Sequence, residues 1–204
     1  MQKIENIIFD LGGVLLDIDY NLSRSAFENL GVTDFDEMYS QATADKLFQN
    51  LETGKISEED FYKEFNRCTG LHLSNEEINK AWNAMLLSFR EQSLSYLETL
   101  KSRFKIFLLS NTNNIHLNCF YQIYHQKERS KSFEQLFDKA FYSFEIGLRK
   151  PDVDCYEWVI NDLQVDPRTT LFIDDSVNNI HGAGKAGLQT LLLTPEMRIE
   201  TVGL

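Results

Sequence analysis

The sequence is poor in cysteine, proline and basic charge, and it has no long apolar run. Cysteine and proline each occur three times in 204 residues. Cys68, Cys119 and Cys155 are scattered without CxxC spacing, which argues against a disulfide framework or a zinc site and fits a reducing compartment. No window approaches the ~20 apolar residues that span a bilayer. The opening apolar run stops at Asp10, too short for the apolar segment of a secretory signal. Only 20 Lys and Arg face 31 Asp and Glu, giving a net charge of −11 and a sequence pI ≈ 4.8. Such a surface repels phosphodiester backbones. These absences predict a cytoplasmic protein with neither a membrane nor a nucleic-acid partner.

What is present is ordinary globular material, 43% hydrophobic and 25% charged, and long enough to bury a sizeable core. Short apolar runs alternate with helix-length segments. Ile7-Ile8-Phe9 stops at Asp10 and the Gly12-Gly13 pair, as a buried parallel strand opening into a tight turn would. The run from Phe104 to Leu109 breaks into Ser110-Asn111-Thr112-Asn113-Asn114, and Leu171-Phe172-Ile173 stops at Asp174-Asp175. Thr190 to Leu193 forms a further run, and Ala140 to Phe144 a weaker one. After Pro151, the side chains of Val153, Tyr156, Ile160 and Leu163 share a helical face. Strands separated by helices predict βαβ units, hence an α/β fold with a doubly wound parallel sheet.

The stretch from Asp17 to Arg90 shows no convincing strand. It does show helix starts: Ser57-Glu58-Glu59-Asp60 and Ser74-Asn75-Glu76-Glu77 each place an acidic residue three positions after a capping serine. Phe61, Phe65 and Cys68 then line one face, and Ile78, Trp82 and Met85 another. The expected organisation is a core of residues 1–16 and 88–204 with an inserted helical cap of 17–87.

Ligands of open parallel sheets bind at the carboxyl ends of the strands. Here those ends carry Asp10, then Ser110 and Asn111, then Asp174 and Asp175, and Lys150 precedes a helix in Gly147-Leu148-Arg149-Lys150-Pro151-Asp152. Each alone is ordinary turn chemistry. Together they suit phosphoryl transfer. Three clustered carboxylates repel unless a cation joins them, and hard oxygen donors select Mg²⁺. Asp10 can then attack phosphorus, as carboxylate nucleophiles do, while Ser110 and neighbouring N–H groups hold phosphate oxygens and Lys150 supplies positive charge.

The segments Ile7 to Leu15, Leu109-Ser110-Asn111-Thr112, Gly147 to Asp152 and Phe172-Ile173-Asp174-Asp175-Ser176 resemble, in order, the four motifs of the haloacid dehalogenase (HAD) superfamily. Asn179, Gly182-Ala183 and Ala186-Gly187 resemble the helix after its fourth motif, and Gly54-Lys55-Ile56-Ser57 with Phe61 resembles its helical cap. Leu16-Asp17-Ile18-Asp19-Tyr20-Asn21 is similar to the small capped phosphatase branch that includes an α-D-glucose-1-phosphate phosphatase. The resemblance implies a Rossmann-like core and Mg²⁺-dependent hydrolysis of a small phosphorylated metabolite, such as glucose 1-phosphate. It makes Asp10 the nucleophile and a metal ligand, Gly12 a carbonyl ligand, Asp175 the direct carboxylate ligand and Asp174 a weaker one. Ser110 and Asn111 are assigned to phosphate, and Lys150 bridges nucleophile and phosphate.

One position departs from the pattern. Most phosphatases of the superfamily carry a second aspartate two residues after the nucleophile, as general acid and base; here that residue is Gly12. Losing such a group costs ~10²–10⁴-fold in rate. A phosphatase acting on a good leaving group tolerates this, and the resembled branch shares the glycine. A carbon–halogen hydrolase needs no acid, but it leaves Asp174 and Asp175 without a balancing cation. A binding or regulatory member of the fold is the remaining alternative. Elsewhere, His116 is a candidate site residue, Asp17, Asp19, Asn21 and Arg24 are hinge or recognition candidates, and Lys127, Arg129 and Lys131 read as a solvated basic run.

Overall fold

The structure, a computed structural model, describes residues 3–33 and 44–204. Residues 34–43 of the expected cap lie outside the described part. The expected apolar runs form the strands of one sheet: β1 (Asn6–Phe9), β4 (Lys105–Ser110), β5 (Lys139–Tyr142), β6 (Thr170–Asp174) and β7 (Gln189–Leu192). Their order is β5-β4-β1-β6-β7 and every pairing is parallel. β1 is central and wholly buried. The chain leaves it towards β4 and β5, then returns to β6 on its other side, so the strand order reverses there.

Strand residues alternate between two covered faces. Ile7, Phe9, Ile106, Leu108 and Ile173 pack with Leu94, Leu97 and Leu100 of α5 (Glu91–Leu100) and Phe120 and Tyr124 of α6 (Asn114–His125). Ile8, Phe107, Leu109 and Phe172 face the other way, onto Tyr156 and Val159 of α8 (Val153–Leu163) and Ala183 of α9 (Val177–Lys185). A short α7 (Ser143–Ile146) follows β5. Helices on both faces make the sheet doubly wound.

The insert carries, among the described residues, α1 (Tyr20–Asn29), α2 (Ala44–Glu52), α3 (Glu58–Thr69) and α4 (Asn75–Asn83). Ser57 accepts from the Asp60 N–H, and Ser74 forms a reciprocal capping box with Glu77, so both expected helix starts are present. The insert has its own apolar centre, including Phe27, Phe61, Phe65, Ile78 and Trp82. Ile115 of α6 enters that centre from the core side.

The expectation of no strand between Asp17 and Arg90 is corrected. The chain crosses into the insert through β2 (Leu16–Ile18) and out through β3 (Leu86–Phe89), which pair antiparallel with a register irregularity. At three and four residues, with no alternating burial, they leave no periodic signal.

Candidate active site

Asp10 follows β1 directly, and its N–H donates to the Ile173 carbonyl on β6 at 2.9 Å, which fixes it at the carboxyl rim. The Lys150 ammonium lies between two carboxylates, donating to Asp10 Oδ1 at 2.6 Å and to Asp174 Oδ2 at 2.7 Å. Lys150 is only 1% exposed and Asp174 0%. Asp174 also accepts from the Ser176 N–H at 2.8 Å, and the Asn179 amide reaches both its oxygens at 3.0 Å. Its oxygens are therefore well supplied with protein donors. Asp175, the next residue, is exposed. Oxygens of Asp10, Asp174 and Asp175 lie within 4.8 Å of one another.

Glycine is needed at two points around this cluster. Gly13 has φ +69°, and a Cβ there would lie 2.0 Å from Asp175 Oδ2, so any side chain would displace that carboxylate. A Cβ on Gly182 of α9 would meet the Pro151 carbonyl at 2.2 Å, so the helix that carries Asn179 approaches the Lys150 segment closely. At Gly12 the neighbour is different: a Cβ would meet Ile18 Cδ1 at 3.1 Å. Apolar carbon crowds the position where the missing acid would stand.

Ser110 ends β4, is buried, and lines the cleft with Asn111. The Asn111 side chain is committed to the main chain of Lys150, donating to its carbonyl at 2.8 Å and accepting from its N–H at 2.9 Å. Sequence reasoning missed this holding role, along with the close approach of Gly13.

Burial pushes the Asp10 carboxyl up to about 7, opposed by the charge of Lys150 and reinforced by Asp174 and Asp175. Burial alone would lower the Lys150 ammonium, but Asp10 and Asp174 hold it well above the ordinary lysine value. With all three carboxylates ionised, they and one ammonium sum to −2, so a divalent cation brings the cluster to neutrality. Closely spaced, hard oxygen donors fit Mg²⁺.

The cluster forms one wall of a cleft of ≈ 340 Å³. Trp82, Met85, Leu86 and Ile18 line the cleft from the insert and its connecting strands. His116 of α6 stacks on Trp82 with ring centroids 4.7 Å apart, and its Nε2 lies 3.3 Å from the Trp82 carbonyl. Burial pushes His116 down to about 4. Arg149 pairs with Glu52 of α2 at 3.1 Å, also along the cleft. Of the hinge candidates, Asp17 pairs with Arg90 at 2.6 Å, while Asp19, Asn21 and Arg24 bond locally at the start of α1.

The chain is similar to known proteins over most of its length. The chain is 34% identical over 187 residues to a D-ribitol-5-phosphate phosphatase of Bacteroides thetaiotaomicron, covering 92% of this chain and 90% of that protein. It is 29% identical over 196 residues to a sesquiterpene phosphatase of Aspergillus oryzae, with 93% and 90% covered. The crystal structure of a HAD family enzyme from Bacteroides thetaiotaomicron, in complex with magnesium and inorganic phosphate, superposes with a TM-score of 0.89 at 28% identity, covering 98% of this chain and 100% of the other. The family model for haloacid dehalogenase-like hydrolases matches residues 4–187, and the chain belongs to that family.

Proposed function

We propose that the protein hydrolyses a small phosphomonoester of the sugar or polyol class, with the phosphoryl group carried transiently on Asp10. The enzyme is a HAD-type phosphatase and Mg²⁺ is its cofactor. The observation that carries the aspartyl-phosphate reading is the Asp10–Lys150–Asp174 bridge at the carboxyl rim, with Asp175 beside it and Ser110 facing the same cleft, while the similarity to a D-ribitol-5-phosphate phosphatase supports the substrate class.

Asp10, Asp175 and the Gly12 carbonyl would hold the metal, with Asp174 contributing more weakly because protein donors already occupy its oxygens. When bound, Mg²⁺ offsets the charge that separates an anionic nucleophile from an anionic phosphate. Ser110 and the main chain of Asn111 hold phosphate oxygens, and Lys150 keeps Asp10 oriented. An Asp10 oxygen attacks phosphorus, the P–O ester bond breaks, and its electron pair leaves with the alcohol oxygen, which takes a proton from water. A water molecule then attacks the aspartyl-phosphate. That water loses its proton to the hydroxide left in solvent by the first step, the acyl phosphate's P–O bond breaks, and phosphate leaves with the Asp10 carboxylate restored.

Residues 17–87 act as the cap in this reading, closing the cleft and selecting the leaving group. Its separate apolar centre supports that assignment. The three free cysteines support a cytoplasmic setting, and no helix among the described residues is long and apolar enough to cross a membrane.

The test is turnover with Mg²⁺ of D-ribitol 5-phosphate, glucose 1-phosphate and glucose 6-phosphate. Hydrolysis of at least one, silenced by EDTA and restored by Mg²⁺, is expected. Metal-indifferent release of halide from a 2-haloacid, without phosphate release, would replace this reading with the dehalogenase one.

A further inference from the structure

Arg90 occupies an odd place for an arginine. It is the N-cap residue of α5 and makes no side-chain capping bond there, although that position favours Ser, Thr, Asp or Asn. Its side chain is used elsewhere. Arg90 Nη1 donates to the Gly13 carbonyl at 2.6 Å and to the Val14 carbonyl at 3.2 Å, while Nε donates to Asp17 Oδ1 at 2.6 Å. Its own N–H donates to the Leu15 carbonyl at 2.9 Å. One residue just after β3 thus binds positions 13, 14, 15 and 17, across the turn that leads from Asp10 into β2.

The position of that turn matters to the site. Gly13 lies directly against the Asp175 carboxylate, and Gly12 precedes it. Asp17 sits on β2, where the chain passes towards the cap, and Arg90 sits where it returns. The Arg90 side chain is 14% exposed and its Asp17 partner 41%, so the bonds to the main-chain carbonyls are better shielded from water than the ion pair. A planar guanidinium holds several acceptors in a fixed fork, a geometry that the rotatable donors of a lysine ammonium do not impose.

We propose that Arg90 is a positioning residue that ties the metal-binding turn to the cap hinge and thereby sets the affinity for the divalent ion. The proposal rests on the phosphatase reading of the Asp10–Asp175 cluster; Arg90 reaches the ion through the main chain of residues 13 and 14, with a weaker direct effect of its charge on the Asp175 carboxyl. Partners that orient a metal site from behind its ligands alter metal affinity by ~10–100-fold when removed.

The experiment measures Mn²⁺ binding by electron paramagnetic resonance on the substrate-free full chain, alongside melting and p-nitrophenyl phosphate kinetics. Arg90→Ala is expected to weaken Mn²⁺ binding by about 10–100-fold and to raise the half-activating Mg²⁺ concentration in proportion. Its kcat should return to within a few-fold of wild type at saturating Mg²⁺. Arg90→Lys, which keeps the charge but not the fork, should show a smaller loss in the same direction and serves if the alanine variant does not fold. Asp17→Asn leaves the two carbonyl bonds in place, so it should keep Mn²⁺ affinity near wild type and shift KM instead. A lowered melting temperature with unchanged Mn²⁺ affinity in the folded Arg90 variants would overturn the proposal. Wild-type protein that binds Mn²⁺ but hydrolyses no phosphomonoester would overturn the functional reading and leave the Arg90 test standing.

Discussion

The two walls of the cleft are built on opposite principles. The core wall is charged and fixed: Asp10, Lys150 and Asp174 are joined by bonds of 2.6 and 2.7 Å, and Asn111 and Asn179 hold them from behind. The other wall is largely apolar, with Trp82, Met85, Leu86 and Ile18, and its polar contacts, His116 with Trp82 and Arg149 with Glu52, join it to the core. In the proposed reading, chemistry that must be the same for every substrate sits on the core wall. Selection in that reading falls to the apolar wall, which can then differ between relatives such as a D-ribitol-5-phosphate phosphatase and a sesquiterpene phosphatase.

The sharpest break of this contrast is at Asp10, the proposed nucleophile. Asp10→Asn should lower kcat by ~10⁴-fold or more for every phosphorylated substrate, with an unchanged circular dichroism spectrum. Substantial residual turnover would remove Asp10 from its role. Lys150→Met comes next: it strands two buried carboxylates and should cost ~3–5 kcal/mol in denaturant unfolding at neutral pH. Little change would mean that the cluster relaxes more easily than its bonding suggests.

The third test uses acid. His116 is buried and held neutral, titrating near about 4 when folded, whereas in an unfolded chain it titrates near its ordinary 6.5. Its stabilisation is present in full above pH 6.5 and is lost as the pH falls towards 4, because the unfolded chain takes up the proton first. Unfolding free energies should show up to about 3 kcal/mol of this loss, and His116→Gln should remove it. The smallest effect is expected at the cap. Trp82→Leu should alter the ratio of kcat/KM between two sugar phosphates by about tenfold while changing kcat for p-nitrophenyl phosphate only a few-fold. A uniform loss across substrates would place Trp82 on the chemical side of the contrast.

Much of the core wall was legible because a parallel sheet imposes a simple rule. Continuous apolar runs such as Ile7-Ile8-Phe9 and Leu171-Phe172-Ile173 must be buried, and whatever follows them emerges at one rim. Asp10, Ser110, Asp174 and Asp175 could therefore be gathered from positions more than 160 residues apart. The capping serines at 57 and 74 are local signals and were equally readable.

What escaped depends on packing between segments. Gly13 looks like any turn glycine until Asp175 arrives against it. The Asn111 amide faces Lys150 through a pairing that no spacing encodes. The basic run around Glu128 is not simply solvated, since Lys127 and Arg129 pair with Glu91 and Lys131 with Glu98. Arg90 did leave a trace, an arginine where a helix would start, but that signal gains meaning only once the helix boundary is known.

The β2–β3 pairing has a consequence for how such a molecule can change. Because the outgoing and returning chains lie side by side, the whole helical insert hangs from the sheet like a side loop on a single stem. Its length and composition can be rewritten without altering the register of any strand in the five-stranded sheet. A chimera bearing a relative's helices grafted between residues 19 and 85 should keep the reaction and exchange the metabolite, with Asn114, Ile115, His116 and Arg149 among the core positions that need re-fitting to the new surface.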